Sequence, residues 1–318
     1  MKAKNRLKGN SRLRSFRNFL RTGHCAPTVM RTMLEVWGEQ DKRMMLPASG
    51  LPGGIGLTKA ECGAVTSAIM ALGMLYGDER GNDHLPKVIS IGQRYVSRFK
   101  QVNGSVNCGE ISNSPADMRP CVKAMCSATG MLIELIAEST ENRAPGMDRE
   151  KAEACKGLLQ VFSDGGFHCC HRVLRQLSPV MRIDEELLRA SWGFLGGTVL
   201  EGLTCSALTG GVIAIGLKCG GIENSYLRVA RMAALMIAGS DAVLQDHINK
   251  ANRAMRFSNT LARQFKRQFG STRCREIIRT DCSTPDGVET YRSGKIIDRC
   301  RNLTDYVAER VGSIIDEL

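Results

Sequence analysis

Apolar positions recur along the chain at helical spacing. From Cys62 they fall at Val65, Ile69, Leu72 and Tyr76. Between 122 and 138 they fall at Val122, Met125, Thr129, Leu132 and Ile136, and between 296 and 315 at Ile297, Leu303, Val307, Val311 and Ile314. Steps of three and four put one stripe on each helix. Thr58-x-x-Glu61 has the form of a capping box, so a helix is expected to open there with Cys62 in its first turn. Another face of that helix carries Thr66, Met70, Gly73 and Gly77. Glycine inside a helix costs about 1 kcal/mol against alanine, so this row predicts close approach of a second backbone, or room for a cofactor. No alternating strand pattern of defensible length occurs, and the expected fold class is all-α. No apolar run reaches the roughly 18–20 residues of a spanning helix. The segments around 62–77 and 205–220 are short, and Val229–Gly239 contains Arg231, so no membrane span is expected.

The pattern also repeats. Ala48-Ser49-Gly50-Leu51-Pro52-Gly53-Gly54, leading to Cys62-Gly63-Ala64-Val65-Thr66-Ser67, is answered by Ala190-Ser191-Trp192-Gly193-Phe194-Leu195-Gly196-Gly197, leading to Cys205-Ser206-Ala207-Leu208-Thr209-Gly210. The interval from Gly54 to Cys62 equals that from Gly197 to Cys205. Upstream, His24-Cys25 answers His168-Cys169. Downstream, Phe99, Lys100, Gly104, Ser105 and Cys108 match Phe265, Lys266, Gly270, Ser271 and Cys274 at identical offsets. A fourth cysteine follows each set: Cys121 in the first, Cys300 or Cys282 in the second. The expected organisation is a basic tail over 1–22, a first repeat over 23–150 and a second over 151–318, with an insertion near 221–258. Each repeat is expected to be a helical bundle with Gly-rich packing. Ser139–Glu150, polar and holding Pro145-Gly146, reads as the connection.

Charge sharpens this picture. The chain of 318 residues has net charge +12, but Lys2, Lys4, Arg6, Lys8, Arg12, Arg14, Arg17 and Arg21 lie in a tail without acids. The remainder is close to ordinary in charge, and the tail reads as a disordered, solubilising or docking arm. It lacks the apolar core of a secretory signal, so a reducing cytoplasm is the expected compartment. In that setting 13 cysteines point to metal binding or redox chemistry.

Cys62 and Cys205, each expected at a helix start, are the candidate reactive thiols, because the helix dipole favours a thiolate there. Arg273 and Arg275 favour the same for Cys274. Four cysteines per repeat is the ligand count of a four-coordinate metal or an iron–sulfur cluster. It also suits a pair of dithiols. His24 and His168 read either as ligands or proton carriers, or as hydrogen-bonded structural residues. Cys126, Cys155, Cys170 and Cys219 have no counterpart and read as small buried residues.

These residues resemble the C-GCAxxG-C-C family of redox-active proteins, most clearly at Cys62-Gly63-Ala64-Val65-Thr66 and over Phe265 to Ile277. Ser67 stands for the final Gly of the motif in the first copy and Ser206 for its first Gly in the second. The resemblance implies redox chemistry or cluster binding by Cys25, Cys62, Cys108 and Cys121, and by Cys169, Cys205, Cys274 and Cys300. The latter set is the closer match and the metal-site candidate.

Three functions are therefore carried forward. The first is electron transfer through a four-cysteine iron–sulfur or other metal centre, with a redox partner protein. The second is a metal-free thiol–disulfide oxidoreductase or redox sensor. The third is a nucleic-acid or acidic-partner module using the tail and Arg253–Arg275, where Phe257, Phe265 and Phe269 interleave with Arg and Lys. Nucleic acid is the weakest of these, because the same pattern fits an amphipathic core helix. Gly50-x-x-Gly53-Gly54-x-Gly56 follows no strand and reads as a turn rather than a dinucleotide site.

Overall fold

The computed structural model describes residues 2–39, 41–77, 84–112, 117–140, 147–163, 168–221 and 225–317. Sixteen α-helices run through them. In order they are α1 (Lys2–Thr22), α2 (Cys25–Trp37), α3 (Gly63–Tyr76), α4 (His84–Asn103), α5 (Cys108–Ile111), α6 (Arg119–Thr140), α7 (Arg149–Ser163) and α8 (Cys169–Leu177). They continue as α9 (Glu185–Ser191), α10 (Ser206–Cys219), α11 (Tyr226–Ala238), α12 (Ser240–Leu244), α13 (Lys250–Phe269), α14 (Cys274–Ile278), α15 (Pro285–Arg292) and α16 (Lys295–Asp316). Three short 3₁₀ turns complete the set. Among the described residues there is no strand, only two isolated bridges. The all-α expectation is met, and the periodic segments became α3, α6 and α16. The described ends of the expected connection, Ser139–Thr140 and Arg149–Glu150, belong to α6 and α7, while 141–146 lies outside the described residues.

Two compact units form. One holds the described parts of 1–68, 94–143 and 215–260, the other those of 69–93, 144–214 and 261–318. Residues 69–93 lie between the second and third cysteines of the first copy, and 215–260 between those of the second. Each unit therefore contains a segment contributed by the other copy. The extra length at 221–258 falls in the first unit.

The basic tail is not a disordered arm. It is helix α1, packed on α2 and α6. Its inner face is polar: Ser11, Ser15, Asn18 and Thr22 are buried. Asn18 Nδ2 donates to Thr32 Oγ1 at 3.2 Å and to Glu35 Oε2 at 3.0 Å, and the Thr22 and Thr28 hydroxyls lie 2.6 Å apart. A buried polar face that is hydrogen-bonded escapes the desolvation penalty, but it leaves no apolar stripe to read. The side chains of Lys2, Lys4, Arg6 and Lys8 lie outside the described residues.

Among the described residues only α6 is long and apolar enough to cross a membrane. It serves as a core helix, with Ala124, Met125, Ala128, Leu132 and Leu135 buried. The glycine row of α3 does what its cost implied: a Cβ on Gly73 would lie 2.5 Å from the Ala190 carbonyl oxygen. Its counterpart in α10, Gly216, faces the Pro47 carbonyl at 2.6 Å in the same sense.

His24 and His168 stand at the N-caps of α2 and α8. His24 Nε2 is 2.8 Å from Asn252 Oδ1, and Asn252 Nδ2 donates to Asp246 Oδ2 at 2.8 Å. His168 Nδ1 accepts the His171 N–H at 3.2 Å. Burial pushes the His24 imidazole down to about 4 and that of His168 to about 3.

Two outcomes follow. Gly73→Ala lowers the melting temperature despite its better helix propensity, whereas Gly312→Ala in α16, where a new Cβ meets nothing within 4 Å, raises it slightly. Calorimetry of the two variants checks the opposite signs. Because the unfolded histidines titrate near 6.5 and the folded ones lower, the unfolded chain binds more protons as pH falls from about 6.5 toward 3. Stability is therefore lost through that window, and His168→Asn, which keeps a capping side chain, flattens the melting temperature against pH.

Candidate redox site

Each copy builds its site on the same backbone device. Residues 53–57 and 196–200 turn left-handed for five residues in succession, with Ile55 at φ 56°, Leu57 at 64°, Thr198 at 64°, Val199 at 46° and Leu200 at 65°. Non-glycine residues in this region cost about 1–2 kcal/mol each, so the turn is held by its surroundings. The Lys59 and Ala60 N–H groups close it onto Gly53 and Gly54, and the Gly202 and Leu203 N–H groups onto Gly196 and Gly197. No side chain fits at the second glycine: a Cβ on Gly54 would lie 2.4 Å from the Ala60 carbonyl oxygen, and one on Gly197 would lie 2.6 Å from Cys274 Cβ. The glycine run is thus a left-handed turn, in line with its reading as a turn before the Cys62 helix.

The chain leaving the turn pairs with the segment before the third cysteine. Cys62 N–H donates to Val106 O at 2.8 Å and Cys108 N–H to Ala60 O at 2.7 Å. In the second copy Cys205 N–H donates to Thr272 O at 2.7 Å and Cys274 N–H to Leu203 O at 2.6 Å. These bonds flank the bridges Glu61–Asn107 and Thr204–Arg273. The repeated Gly-Ser-x-x-Cys element has a matching cause. Ser105 Oγ accepts the Asn107 N–H at 3.0 Å and donates to Glu110, while Ser271 Oγ accepts the Arg273 N–H at 3.0 Å and donates to Glu276.

The capping box does not form. Thr58 Oγ1 donates to the Gly54 carbonyl at 2.7 Å, and the cap of α3 is Cys62 itself, whose sulfur accepts the Ala64 N–H. Cys205 caps α10 through the Ala207 and Leu208 N–H groups. Both cysteines sit one position before their helix rather than inside its first turn.

In the first unit Cys25, Cys62, Cys108 and Cys121 line one cavity, together with His24 and Met255. In the second unit Cys169, Cys205, Cys274, Cys282 and Cys300 line another. That cavity measures about 30 Å³, room for about two water-sized bodies. Both candidates for the fourth position, Cys282 and Cys300, are therefore present. Cys155, Cys170 and Cys219 are buried elsewhere, and Cys126 is half-buried on α6. All 13 cysteines are free thiols.

Within each cavity two sulfurs form a hydrogen-bonded pair. The Cys62 thiol donates to Cys25, which also accepts the Gly53 and Ala26 N–H groups, and Cys25 is held below the ordinary thiol range against the opposing effect of burial. Cys62 is pushed up correspondingly. In the second cavity the Cys169 thiol donates to Cys300, and the phenol of Tyr291 adds a second hydrogen bond, so Cys300 is the depressed member and Cys169 the raised one. Cys205 and Cys108 are each pushed up to about 12, chiefly by burial.

This corrects the expected thiolates. Cys62 and Cys205 do sit at helix starts, and Arg275 does lower Cys274, yet all three are raised overall. At Cys62 the hydrogen bond to Cys25 leads and burial adds to it, whereas at Cys205 and Cys274 loss of solvent is the main cause and outweighs the helix-start N–H groups and the Arg275 cation. The proton-poor sulfurs are Cys25 and Cys300. Tyr291 is the site residue that sequence reading missed, since the repeat comparison rests on shared positions and Tyr291 has no counterpart.

Of the Phe side chains in the basic stretch, Phe257 is half-buried with the Arg256 guanidinium over its ring, 5.0 Å from the centroid. Phe265 is fully buried, and Phe269 packs edge-on against Tyr306 with ring centroids 5.2 Å apart. Among the described residues no group of three or more His, Cys, Asp or Glu side chains is placed to hold a metal ion.

No curated protein and no solved structure matches the chain. One family model, described as "Putative redox-active protein (C_GCAxxG_C_C)", matches it twice, over residues 23–160 and 167–314. With two tandem matches that together span most of its length, and with both sets of four cysteines inside them, the chain belongs to the C_GCAxxG_C_C family of redox-active proteins.

Proposed function

We propose that each copy is a two-electron dithiol centre that exchanges with a redox partner protein in a reducing, cytoplasmic compartment. The observation that carries this reading is the convergence of Cys25 and Cys62 on one cavity and of Cys169 and Cys300 on the other, with the two thiols of each pair electrostatically coupled. One member of each pair is stabilised toward the thiolate and the other keeps its proton, which is the division of labour that thiol–disulfide exchange needs. The thiolate, Cys25 or Cys300, attacks a sulfur of the partner's disulfide and expels one partner thiolate. Its neighbour, Cys62 or Cys169, then attacks the mixed disulfide. The pair gives up two protons and two electrons and becomes a disulfide, and the partner leaves as a dithiol. The roles of attacking and resolving sulfur thus go to pairs, rather than to Cys62 and Cys205 acting alone.

A metal centre is the second reading. It is favoured by the donor set: four soft sulfurs on one cavity suit an iron–sulfur cluster or zinc in type and number. The ligands would be Cys25, Cys62, Cys108 and Cys121 in one copy and Cys169, Cys205, Cys274 and Cys300 in the other. The sulfurs engage each other in pairs, which fits the dithiol better.

Mild oxidation of the anaerobically purified protein is expected to remove two thiols per copy, with peptide mapping returning Cys25–Cys62 and Cys169–Cys300. Full retention of the thiols together with stoichiometric iron and sulfide, or zinc, overturns the dithiol reading in favour of the metal. The pH dependence of alkylation gives a second check. Cys25 should react with a midpoint below that of a free thiol, about 8.5. Cys62→Ala removes the donor and moves that midpoint upward, while Cys62→Ser, which keeps an O–H donor, moves it less.

A further inference from the structure

Helix α1 turns its polar face inward, and the consequence is an apolar outer face. Leu13 is 70% exposed, and Phe16 and Leu20 are exposed with it at steps of three and four residues. Helix α11 packs beside α1 in the same unit. Its sequence, YLRVARMAALMIA, is apolar almost all round. Val229 and Met232 face inward, and Tyr226, Leu227, Ala230, Ala234 and Ile237 face solvent, with Leu227 84% exposed. Apart from Arg228 and Arg231 its exposed residues are apolar, and a contiguous exposed apolar patch rimmed by charge marks an interaction surface.

Among the described side chains the charged ones on α1 and α11 are all cationic, Arg12, Arg14, Arg17, Arg21, Arg228 and Arg231, and the one exposed acid of the adjoining α12 is Asp241. Residues 1–21 hold eight Lys and Arg and no acid, and 225–239 add Arg228 and Arg231 and no acid. Among the described side chains, two of these cations have acidic neighbours: Arg17 lies 3.9 Å from Glu35, and Arg231 lies 3.3 Å from the buried Asp246. We infer that the outer face of α1 and α11 is a docking surface for an anionic lipid bilayer. The apolar side chains would enter the headgroup boundary and the flanking cations would meet lipid phosphates. A second copy of the chain is disfavoured as occupant, because a symmetric contact would set Arg12, Arg14 and Arg21 against themselves. Nucleic acid offers phosphate but no use for exposed Leu and Ile. The proposal is independent of the dithiol reading.

The test is co-sedimentation of the intact protein with vesicles of phosphatidylcholine alone, or with about one third phosphatidylglycerol. Anionic vesicles should bind at least about tenfold more protein, and added salt should release it. Leu13→Glu and Leu227→Glu, both at exposed positions, should each reduce binding about tenfold or more, with helicity and thiol reactivity unchanged. Equal partition onto both vesicle types, no binding to either, or indifference to both substitutions overturns the proposal. So does a dimer in gel filtration that Leu227→Glu converts to monomer, or RNA binding that survives that substitution while vesicle binding is absent.

Discussion

The second and third cysteines of each copy are tied together by main chain. Two reciprocal hydrogen bonds, from Cys62 to Val106 and from Cys108 to Ala60 in the first copy, fix two sulfurs whose positions lie 46 residues apart in sequence. The second copy spans a longer interval with the same pair of bonds. The left-handed turn exists to deliver the chain to that bridge, and its strained residues are tolerated because the bridge and the turn's own hydrogen bonds over-determine them. The first cysteine then arrives on α2 or α8, and the fourth on α6 or α16. Each site is thus built from three deliveries converging on one cavity, a hydrogen-bonded middle pair whose geometry tolerates different lengths of intervening chain, and a first and a fourth cysteine that arrive on separate helices.

Inside the cavity, desolvation sets the chemistry. A thiol removed from water keeps its proton unless something donates to it. Here the donors are other thiols, main-chain N–H groups of a helix start, and in the second copy a phenol. The result is one proton-poor sulfur per cavity among neighbours that hold theirs. The copies reach this state by different routes, since Cys25 takes its hydrogen bond from the second cysteine of its set, while Cys300 takes it from the first of the other.

Much of this was legible in the chain. The helical periodicity around Val65, Leu132 and Val307 located α3, α6 and α16, and the matching intervals located both sets of cysteines. The glycine row of α3 announced its close packing. What stayed hidden was hidden for physical reasons. The helix in the tail is held by Ser15, Asn18 and Thr22, and a hydrogen-bonded polar face has the same pattern as a solvated one. The balance between helix start and burial at Cys205 depends on solvent access, which spacing does not encode. The pairing of sulfurs depends on side-chain placement within a cavity, and Tyr291 enters that cavity without a repeated position to mark it.

The interleaving of segments has a bearing on how the duplication can be inherited. Asn252, which holds His24, and Met255, which lines the Cys25 cavity, come from the second half of the chain but serve the unit built mainly from the first. Val199 is met by Gln93 Nε2, which donates to its carbonyl at 3.0 Å, a debt in the other direction. Truncation of either half would strip the survivor of part of its own core. A gene for this protein cannot shed one copy and keep the other whole.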